Sequence, residues 1–414
     1  MLAIGQRLLL LLSYAVHRLT TRRHHRESID WVVGPDELAS CLAQIRAAVP
    51  GTYSVSFLRE QAYDVHYDVG PLRGTPRVRA IKRLFLGPWL LGRLMNRARG
   101  ILYVGPTGFL LSPDEREFEL RFVRAQGLKV GLYWTGSDIR STSVMHALER
   151  EMGIPNISTY IGVISPHYET PAHERVQRVR AEVAMRHAHV MFDYPSDQAG
   201  YLTCHREPTF FMLSKDHFTT DRSKFDDLST IVVTHATTSP VIKGTPLVRA
   251  AVAQLRAEGY DFEYCELIGV SNAELLAQLR RTHIGLNQFY GFTITVFGVE
   301  LLAAQCAVLS SSDSTIETNL PPGLNDAIMV TKHWQVYSNL KALLDAPERI
   351  EPLAARGAEW AWRYQSAENA GPLMTAILSS VLDGTYDADA RSRLTQDEVY
   401  AGTSPRGAEP HPSA

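Results

Sequence analysis

Cysteine is scarce in this sequence, which has only four among its 414 residues. They are far apart, and no two have the Cys-x-x-Cys spacing of a metal or redox motif. Scattered thiols in apolar or helical surroundings argue against a disulfide framework and a cysteine-based zinc site. They are typical of a protein in a reducing compartment. The four residues are Cys41, Cys204, Cys265 and Cys306.

An excess of either charge is also missing. The 42 basic and 44 acidic residues leave a formal net charge of −2. This balance argues against a dedicated nucleic-acid-binding protein, because such proteins are usually strongly basic. With 45% hydrophobic and 21% charged residues, the composition is that of a globular protein, and the length accommodates two domains of ordinary size.

No apolar run reaches the ~20 residues that a membrane-spanning helix requires. The apolar start of the chain is interrupted by Gln6 and Arg7 and then becomes basic. No small-residue cleavage site follows, which argues against a signal peptide. Two interpretations stay open for this segment, residues 1–27: a first helix packed on the domain, or an anchor at the surface of an anionic membrane.

A second stretch, residues 73–99, has the same two interpretations. It contains eight basic residues and no acidic one, interleaved with leucines and Trp89. This pattern indicates either an ordinary helix with a solvated basic face or a helix that docks on an anionic bilayer. Residues 73–99 and 1–26 are therefore the candidate membrane contact of a cytoplasmic protein, peripheral on the inner face of the cell membrane.

A nicotinamide-binding fingerprint is absent as well, since no Gly-x-Gly-x-x-Gly follows a predicted strand, and this disfavours a dehydrogenase. What the sequence contains instead is an alternation of short apolar strands with amphipathic helices, in two halves joined by a polar connector at residues 219–227. The alternation predicts an α/β protein with two Rossmann-like, doubly wound parallel sheets that face a ligand-binding cleft.

The predicted elements of the first half are five strands and one well-marked helix. That helix begins at a capping box from Ser112 to Glu115 and ends at Gly127. Its strands are predicted at residues 53–57, 101–104, 129–133, 190–192 and 210–213. The second half is predicted to have strands at 230–234, 262–268, 283–286 and 307–310, and helices at 246–258, 271–281, 295–305, 335–344, 350–364 and 367–382.

The same reading divides the chain into five parts. After the segment 1–27 come a first domain, residues 28–222, and a second domain, residues 223–365. A C-terminal helix, residues 366–383, is predicted to cross back to the first domain. The composition then shifts to Gly, Ser, Pro and charge, which predicts a disordered tail at 384–414.

Lys243, Gly244 and Thr245 stand between a predicted strand and a helix. The N-terminus of a helix attracts phosphate through its unpaired N–H groups, Gly244 permits close approach of the backbone, and Lys243 adds a positive charge. His235, in the predicted loop after the strand, is where such sheets carry ligand-binding loops. The pattern predicts a site for a nucleotide diphosphate; the alternative is a solvated lysine before a capped helix.

Glu300 lies in an otherwise apolar helix, where an ionised carboxylate requires a partner. It could accept hydrogen bonds from the two hydroxyls of a ribose, or it could form a structural salt bridge. The loop before this helix contains Gly291, Thr293 and Thr295. These residues predict a cradle for a phosphate or a sugar, the alternative being a capped loop without a ligand.

Two loops of the first half are further candidates. Gly136, Ser137, Asp138 and Arg140 follow the strand at 129–133, where a glycine turn would direct Asp138 and Arg140 at the cleft. Alternatively, Asp138 caps the next helix and pairs with Arg140. Thr107, in a Gly-Pro-Thr-Gly loop after the strand at 101–104, has a comparable position.

Together these residues resemble the GT-B glycosyltransferases, in particular the retaining family-four (group 1) enzymes of bacterial polysaccharide synthesis. The resemblance covers most of residues 30–380 and is sharpest over 230–311. It implies that Lys243 contacts the donor diphosphate, that Glu300 binds the ribose and that residues 291–295 cradle the donor. The loop from Gly136 to Arg140 is then on the acceptor side. The candidate catalytic residues are Lys243, Glu300 and Asp138.

The sequence departs from the family pattern at one position. The family has a second glutamate eight residues before the ribose-binding one, where it meets the donor sugar, and this chain has Phe292 there. The usual arginine of the phosphate pocket is also not evident near His235.

The resemblance implies a hexosyltransferase that acts on a UDP- or GDP-linked donor and a saccharide or lipid-linked acceptor. Its reaction would be retaining, by front-face attack assisted by the leaving diphosphate, with no tightly bound cofactor and no metal requirement. Two alternatives stay open: a GT-B scaffold without transfer activity that acts as a binding subunit, and a sugar-nucleotide epimerase on the same fold.

Overall fold

A computed structural model describes residues 2–20, 29–58 and 65–401 of the chain. It contains two five-stranded parallel sheets with helices packed on their faces. The predicted fold class, α/β with two Rossmann-like doubly wound sheets, is confirmed.

The first half contains seven helices and five strands within the described residues. In chain order they are α1 Leu2–Thr20, β1 Ile29–Pro35, α2 Cys41–Ala48, β2 Thr52–Ser54, α3 Pro76–Leu94, β3 Ala98–Val104, α4 Glu117–Ala125, β4 Lys129–Tyr133, α5 Thr142–Met152, α6 Ile161–Ile164, α7 Pro171–His187 and β5 Val190–Phe192.

The second half and the C-terminal helices follow after a connector. They are β6 Val232–Thr237, α8 Pro240–Lys243, α9 Thr245–Ala257, β7 Glu263–Ile268, α10 Asn272–Leu279, β8 Ile284–Leu286, α11 Val296–Ala303, β9 Ala307–Ser310, α12 Leu324–Ala327, β10 Met329–Val330, α13 Val336–Leu344, α14 Ile350–Gln365, α15 Ala367–Asp383, α16 Ala388–Arg391 and α17 Gln396–Val399.

The strand order places a switch point in each sheet. The orders are β2-β1-β3-β4-β5 and β10-β9-β8-β6-β7, with every neighbouring pair parallel. The chain therefore reverses its direction of winding next to β1 in the first sheet and next to β6 in the second. Ligands of such sheets bind outside the carboxyl ends of the strands at these points.

The two halves share part of their hydrophobic core. One buried cluster contains Trp31 and Ile45 of the first half, Leu301 of the second and Met374 of α15. Helix α15 approaches α2 so closely that a Cβ atom on Gly371 would be 2.7 Å from the carbonyl oxygen of Ala48. The C-terminal helix therefore packs against the first half.

The predicted capping box at residues 112–115 is wrong. Helix α4 begins at Glu117, its N-cap Arg116 has a left-handed backbone (φ 74°) and makes no side-chain cap. The hydroxyl of Ser112 has no hydrogen-bond partner in the described chain, and Glu115 instead pairs with Arg180 at 2.7 Å. A tertiary ion pair thus replaces the local cap. The second predicted capping box, between Ser271 and Glu274, is present.

The predicted strand at residues 210–213 is also wrong. This segment has only an isolated bridge, between Leu213 and Ser366. Its backbone is satisfied mainly by side chains, because the hydroxyl of Tyr133 donates to the carbonyl of Phe210 at 2.9 Å and the amide of Phe211 donates to Gln365 at 3.1 Å. Its apolar side chains follow the strand pattern, but they pack in the core that joins the halves.

The predicted disordered tail is wrong for residues 384–401. These residues form α16 and α17, and Tyr400 is buried. Arg391 donates two hydrogen bonds to the buried Glu207 carboxylate, at 2.8 and 2.6 Å. The segment is therefore held to the fold by this ion pair and by Tyr400, although most of its residues are exposed. Residues 402–414 of the predicted tail and 21–26 of the basic N-terminal segment lie outside the described residues.

We expect Arg391→Met to lower the free energy of unfolding at pH 7 by about 3 kcal/mol, because it leaves a buried carboxylate without its partner. Burial alone would raise the pKa of Glu207, but hydrogen bonds from Arg391 and His205 lower that pKa to about 2. The contribution is therefore present above about pH 4.5 and is lost as the pH falls towards 2.

Urea denaturation at pH 7 and pH 3 measures this difference, which should shrink at the lower pH. Arg393→Met, two residues away on the exposed side, is the matched control. Equal stability of both variants at pH 7 would show that the tail does not hold the fold through Arg391.

Candidate active site

A cavity of about 900 Å³ lies between the two halves. This volume falls in the range of small-molecule binding sites. The cavity is lined by residues that follow strands of both sheets, so it occupies the place that the two switch points predict. The polar and charged residues of the lining include Thr107, Ser137, Asp138, Arg140, Asp197, Lys243, Asn272, Thr293, Thr295 and Glu300.

Glu300 is the most unusual carboxylate in this lining. It lies on α11, whose first turn is capped by the Thr295 hydroxyl at the amide of Gly298, at 3.1 Å. Its neighbours Leu301 and Leu302 are fully buried, so the helix is enclosed and the carboxylate is only 1% exposed.

The two oxygens of Glu300 have different environments. Oε1 accepts a hydrogen bond from Nδ2 of Asn272 at 2.7 Å. Oε2 is buried and has no hydrogen-bond partner among the described residues. Burial raises the pKa of Glu300 to about 7, against the lowering effect of Asn272. A buried acceptor without a donor is costly, and here it lines a cavity large enough for a ligand that could supply one.

Lys243 ends the single turn α8 on the second half. Gly244 follows it in the left-handed region (φ 82°) and ends that turn. The Lys243 ammonium donates to Oε1 of Gln288 at 2.5 Å. Burial and the positive charge of Arg140 lower the pKa of Lys243, and the negative charge of Asp197 partly opposes them. The resulting pKa is about 8. The ammonium is therefore desolvated and has one negatively charged neighbour, Asp197, and one positively charged neighbour, Arg140.

His235, Gly244 and Thr245 do not line the cavity, which corrects their predicted role in donor binding. His235 lies within β6 rather than in a loop, and it is fully buried. Its Nδ1 is 2.7 Å from the carbonyl oxygen of Leu286, and its Nε2 is 2.8 Å from the Thr245 hydroxyl. The pair holds the start of α9 against the sheet.

The loop at residues 291–295 is already occupied by a carboxylate of the other half. Asp197 accepts hydrogen bonds from the amide of Phe292 at 2.8 Å, the amide of Thr293 at 3.2 Å and the Thr293 hydroxyl at 2.9 Å. The predicted phosphate cradle is therefore corrected: these groups bind Asp197, and Gly291 does not line the cavity. Thr295 does line it, while its hydroxyl donates to Asn287 at 2.7 Å.

Asp138 is used by its own turn. Its carboxylate accepts hydrogen bonds from the amides of Thr135 and Gly136, the latter at 2.7 Å. Asp138 and Arg140 both line the cavity, as the first predicted interpretation has it. The alternative is wrong, since Asp138 caps a turn rather than a helix and makes no hydrogen bond with Arg140. The turn places Arg140, whose Nε donates to the carbonyl oxygen of Asp197 at 2.6 Å.

The other acceptor-side candidates, Ser137 and Thr107, differ in how many hydrogen bonds hold them in place. The hydroxyl of Ser137 lies 3.3 Å from that of Tyr168 at the exposed end of the cavity. Thr107 is held through both its amide and its hydroxyl, at 3.0 and 2.6 Å from Asp36. Arg83 of α3 also donates to the Thr107 hydroxyl and to the carbonyl of Gly108.

Sequence reasoning missed three residues of this site: Asp197, Asn272 and Gln288. A usable signal existed for Asp197, which follows β5 as the loop at 136–140 follows β4. Asn272 lies inside the capping box at 271–274, and because Ser271 and Glu274 account for that motif, nothing in the sequence indicated a separate role for Asn272. Gln288 had no separate signal. Within the described ranges, no group of three or more His, Cys, Asp and Glu side chains is arranged to hold a metal ion.

We expect Glu300→Gln to stabilise the unliganded protein at pH 8. A folded-state pKa of about 7, above the ordinary 4.5, means that the folded protein loses stability as the pH rises from about 4.5 through 7. Removing the buried charge should raise the free energy of unfolding at pH 8 by about 1–3 kcal/mol, and the gain should vanish near pH 5.

Urea denaturation at the two pH values measures the gain. Glu182→Gln, on the exposed side of α7, is the control and should leave stability unchanged at both. A Glu300→Gln protein that is no more stable than wild type at pH 8 would show that the carboxylate is not desolvated.

The fold and the cavity can be compared with known proteins. No protein-family model matches the chain, and no curated protein sequence matches it significantly. Solved structures do match. Sucrose-phosphate synthase from Thermosynechococcus elongatus has a TM-score of 0.54 at 11% identity, covering 86% of this chain and 100% of that one. The N-terminal domain of Candida albicans trehalose-6-phosphate phosphatase has a TM-score of 0.51 at 9% identity, covering 87% and 99%.

A third match is WaaG, a glycosyltransferase involved in lipopolysaccharide biosynthesis, with a TM-score of 0.47 at 9% identity and coverage of 88% and 100%. A putative UDP-N-acetylglucosamine 2-epimerase from Listeria monocytogenes also matches, with a TM-score of 0.46 at 12% identity. At such identities the likeness concerns the fold alone: the chain has the GT-B fold, two Rossmann-like halves that face a cleft.

Proposed function

We propose that this protein is a nucleotide-sugar-dependent hexosyltransferase. The observation that carries the proposal is the unpartnered Oε2 of Glu300, which is buried on the wall of the same cavity that receives the Lys243 ammonium. A carboxylate with one free oxygen suits the hydroxyls of a ribose, and an ammonium suits a diphosphate. A nucleoside diphosphate carries both groups at a fixed separation.

Donor binding would change the charge state of both residues. The diphosphate would replace Gln288 as the partner of Lys243 and favour the ammonium form. Ribose hydroxyls would donate to Glu300 and favour its ionised form, since hydrogen bonds to a carboxylate lower its pKa. No tightly bound cofactor or metal enters this proposal, because Lys243 would provide the positive charge.

The chemistry proposed is transfer with retention, as the resemblance to family-four enzymes implies. The bond between the hexose C1 and the diphosphate oxygen breaks, and a bond from the acceptor hydroxyl oxygen to C1 forms on the same face. The hydroxyl proton passes to the departing diphosphate. Lys243 would stabilise the negative charge that develops on the leaving group, and Arg140, across Asp197 from it, would add to that field.

Asp138 would act as a positioning residue in this scheme, because its oxygens are held by the turn at 135–138. The acceptor half of the cavity would receive a saccharide or a lipid-linked saccharide near Ser137 and Thr107. A lipid-linked acceptor of cell-surface polysaccharide synthesis is presented at a membrane, so the proposal includes a cytoplasmic location, peripheral on the inner face of the cell membrane.

A binding subunit without transfer activity is the second candidate, and Phe292 is the observation that favours it. Its side chain is buried, and its amide belongs to the Asp197 contact, so residue 292 offers no carboxylate to a donor sugar. Such a protein would form no product with any acceptor, and the absence of UDP and GDP binding at millimolar concentrations in calorimetry would support it. Conversion of a nucleotide sugar without an acceptor would instead identify an epimerase.

We expect Lys243→Ala to abolish transfer and to weaken UDP or GDP binding by about 10- to 100-fold, the range for loss of a charge-assisted hydrogen bond. Isothermal titration calorimetry measures the affinity. Lys215→Ala, an exposed lysine outside the cavity lining, is the matched control. Unchanged nucleotide affinity and full activity in Lys243→Ala would remove the donor-site assignment.

The pH dependence of nucleotide binding provides a separate test. Affinity should fall below about pH 7, where Glu300 gains a proton, and above about pH 8, where Lys243 loses one. Lys243→Arg should move the alkaline limb upwards, because a guanidinium stays protonated. Glu300→Gln should remove the acidic limb. Limbs that persist unchanged in both variants would belong to the nucleotide or to other groups.

A further inference from the structure

Helix α1 has its polar and apolar faces reversed relative to a helix on a water-exposed surface. Gln6 and Ser13 are buried, at 4% and 0% exposure, whereas Leu8 on the opposite face is 61% exposed. The Gln6 side chain exchanges two hydrogen bonds with the backbone of Leu111, at 2.8 and 2.9 Å. The exposed apolar residues of α1 are Leu2, Ile4, Leu8, Leu11, Leu12, Val16 and Leu19.

Helix α3 also exposes large apolar side chains, although its buried side is mostly apolar and includes Leu91 and Leu94. Arg83 points inward, where it contacts the loop of Thr107, while Phe85 on the outer face is 62% exposed. The exposed apolar residues of α3 are Val78, Ile81, Phe85, Leu86 and Trp89. The two helices together contain more than half of the large hydrophobic residues that are exposed in the described chain.

The two helices are packed into one rigid unit. A Cβ atom on Gly92 would be 2.7 Å from the amide nitrogen of Tyr14 and from the side chain of Ser13, so the helix backbones approach as closely as glycine allows. Ser13 donates to the carbonyl of Trp89 at 2.6 Å, and Asn96 donates to the carbonyl of Tyr14 at 3.1 Å. The exposed apolar side chains therefore form a fixed surface, here called the α1–α3 face.

The charged residues of the two helices themselves have one sign. Neither helix contains an acidic residue, and exposed cations accompany the apolar side chains. The exposed basic residues are Arg18, Arg77, Lys82 and Arg93. A contiguous apolar surface is unusual on a soluble monomer and marks an interaction site. Apolar side chains flanked by cations only are complementary to a surface that is apolar inside and anionic outside.

We propose that the α1–α3 face docks on an anionic phospholipid bilayer, with both helices lying in the plane of the interface. Within the described part of the chain, no helix is both long and apolar enough to cross a bilayer. The leucines of α1 and the aromatic residues of α3 enter the boundary of the acyl chains, and the cations contact the lipid phosphates.

Docking in this orientation connects the membrane to the acceptor half of the cavity. Arg83 belongs to α3 and also lines the cavity beside Thr107. This consequence deepens the proposed function, because a lipid-linked acceptor anchored in the same bilayer would approach from that side. The docking surface itself does not depend on nucleotide binding.

Flotation of the full-length protein with liposomes tests the proposal. Wild type should float with vesicles of phosphatidylcholine and phosphatidylglycerol at low salt, and less with phosphatidylcholine alone. A variant with Leu8, Leu12, Ile81 and Phe85 each changed to Ser should stay in the dense fraction. Neutralising Arg77, Lys82 and Arg93 to Gln should weaken partitioning on the order of 100-fold, about fivefold for each cation.

A control matches the apolar substitutions elsewhere on the surface. Val163, Ile268, Trp334 and Leu394 are also exposed, and changing these four to Ser should leave flotation intact. All changed residues are exposed, so thermal unfolding and UDP binding of each variant should match wild type. These two readouts separate a failure of docking from a failure of the proposed function.

Three results would overturn the proposal. The first is a wild-type protein that stays in the dense fraction with both vesicle types. The second is a wild-type protein that is dimeric in light scattering without lipid while the serine variant is monomeric, since a second copy would then cover the α1–α3 face. The third is a serine variant that floats as well as the wild type, which would exclude this surface.

Discussion

The relation between the two halves depends on a reciprocal exchange of hydrogen bonds between two buried carboxylates and two loops. Asp197 of the first half binds the amides of Phe292 and Thr293 in the second. Glu317 of the second half accepts from the amides of Ser196 and Asp197 in the first, at 2.8 and 2.9 Å. Each half thus supplies the carboxylate that accepts hydrogen bonds from the backbone amides of the other half's loop. Residues of these loops, Asp197 and Thr293 among them, line the cavity.

This exchange has an electrostatic cost that the structure concentrates at the cleft. Burial and the negative charge of the nearby Asp197 raise the pKa of Glu317, and hydrogen bonds from backbone amides oppose that rise. The resulting pKa is about 8. Lys243 and Glu300 are also shifted by burial towards their neutral forms. Groups held near neutrality in a desolvated cleft are common at functional sites. The cost of ionising them falls when a ligand of complementary charge enters.

The fold was predictable from the sequence because its signals are local. Alternating strands and helices identified both sheets, and the strands β4 and β9 have the predicted bounds. Failures occurred where a distant partner outweighed a local pattern. Arg180 replaced the capping box near Ser112, and Glu207 ordered a tail whose composition indicated disorder. Such partners are separated by tens to hundreds of residues, so no window of sequence contains both.

The candidate site was predictable in part for the same reason. Lys243 and Glu300 follow strands of one sheet, and the rule that ligands bind at strand carboxyl ends was enough to place both at the cavity. The rule does not say which groups are already satisfied. His235 and the amides at 292 and 293 already have hydrogen-bond partners inside the protein. These groups, which their chemistry alone would select, are therefore not free to bind a ligand, whereas Oε2 of Glu300 has no partner in the described chain.

The hydrogen bonds of buried polar groups also bear on the α1–α3 face. Gln6, Ser13 and Arg83 all find partners inside the first half, while leucines and other large apolar residues are exposed on the outer side of the same helices. Exposing those leucines to water would offset the gain by about 25 cal/mol per Å². A helix pair with this arrangement suits the apolar environment that the proposed docking would provide. In the proposed docking the bilayer covers the outer side of α3, while Arg83 on the inner side of the same helix lines the acceptor half of the cavity.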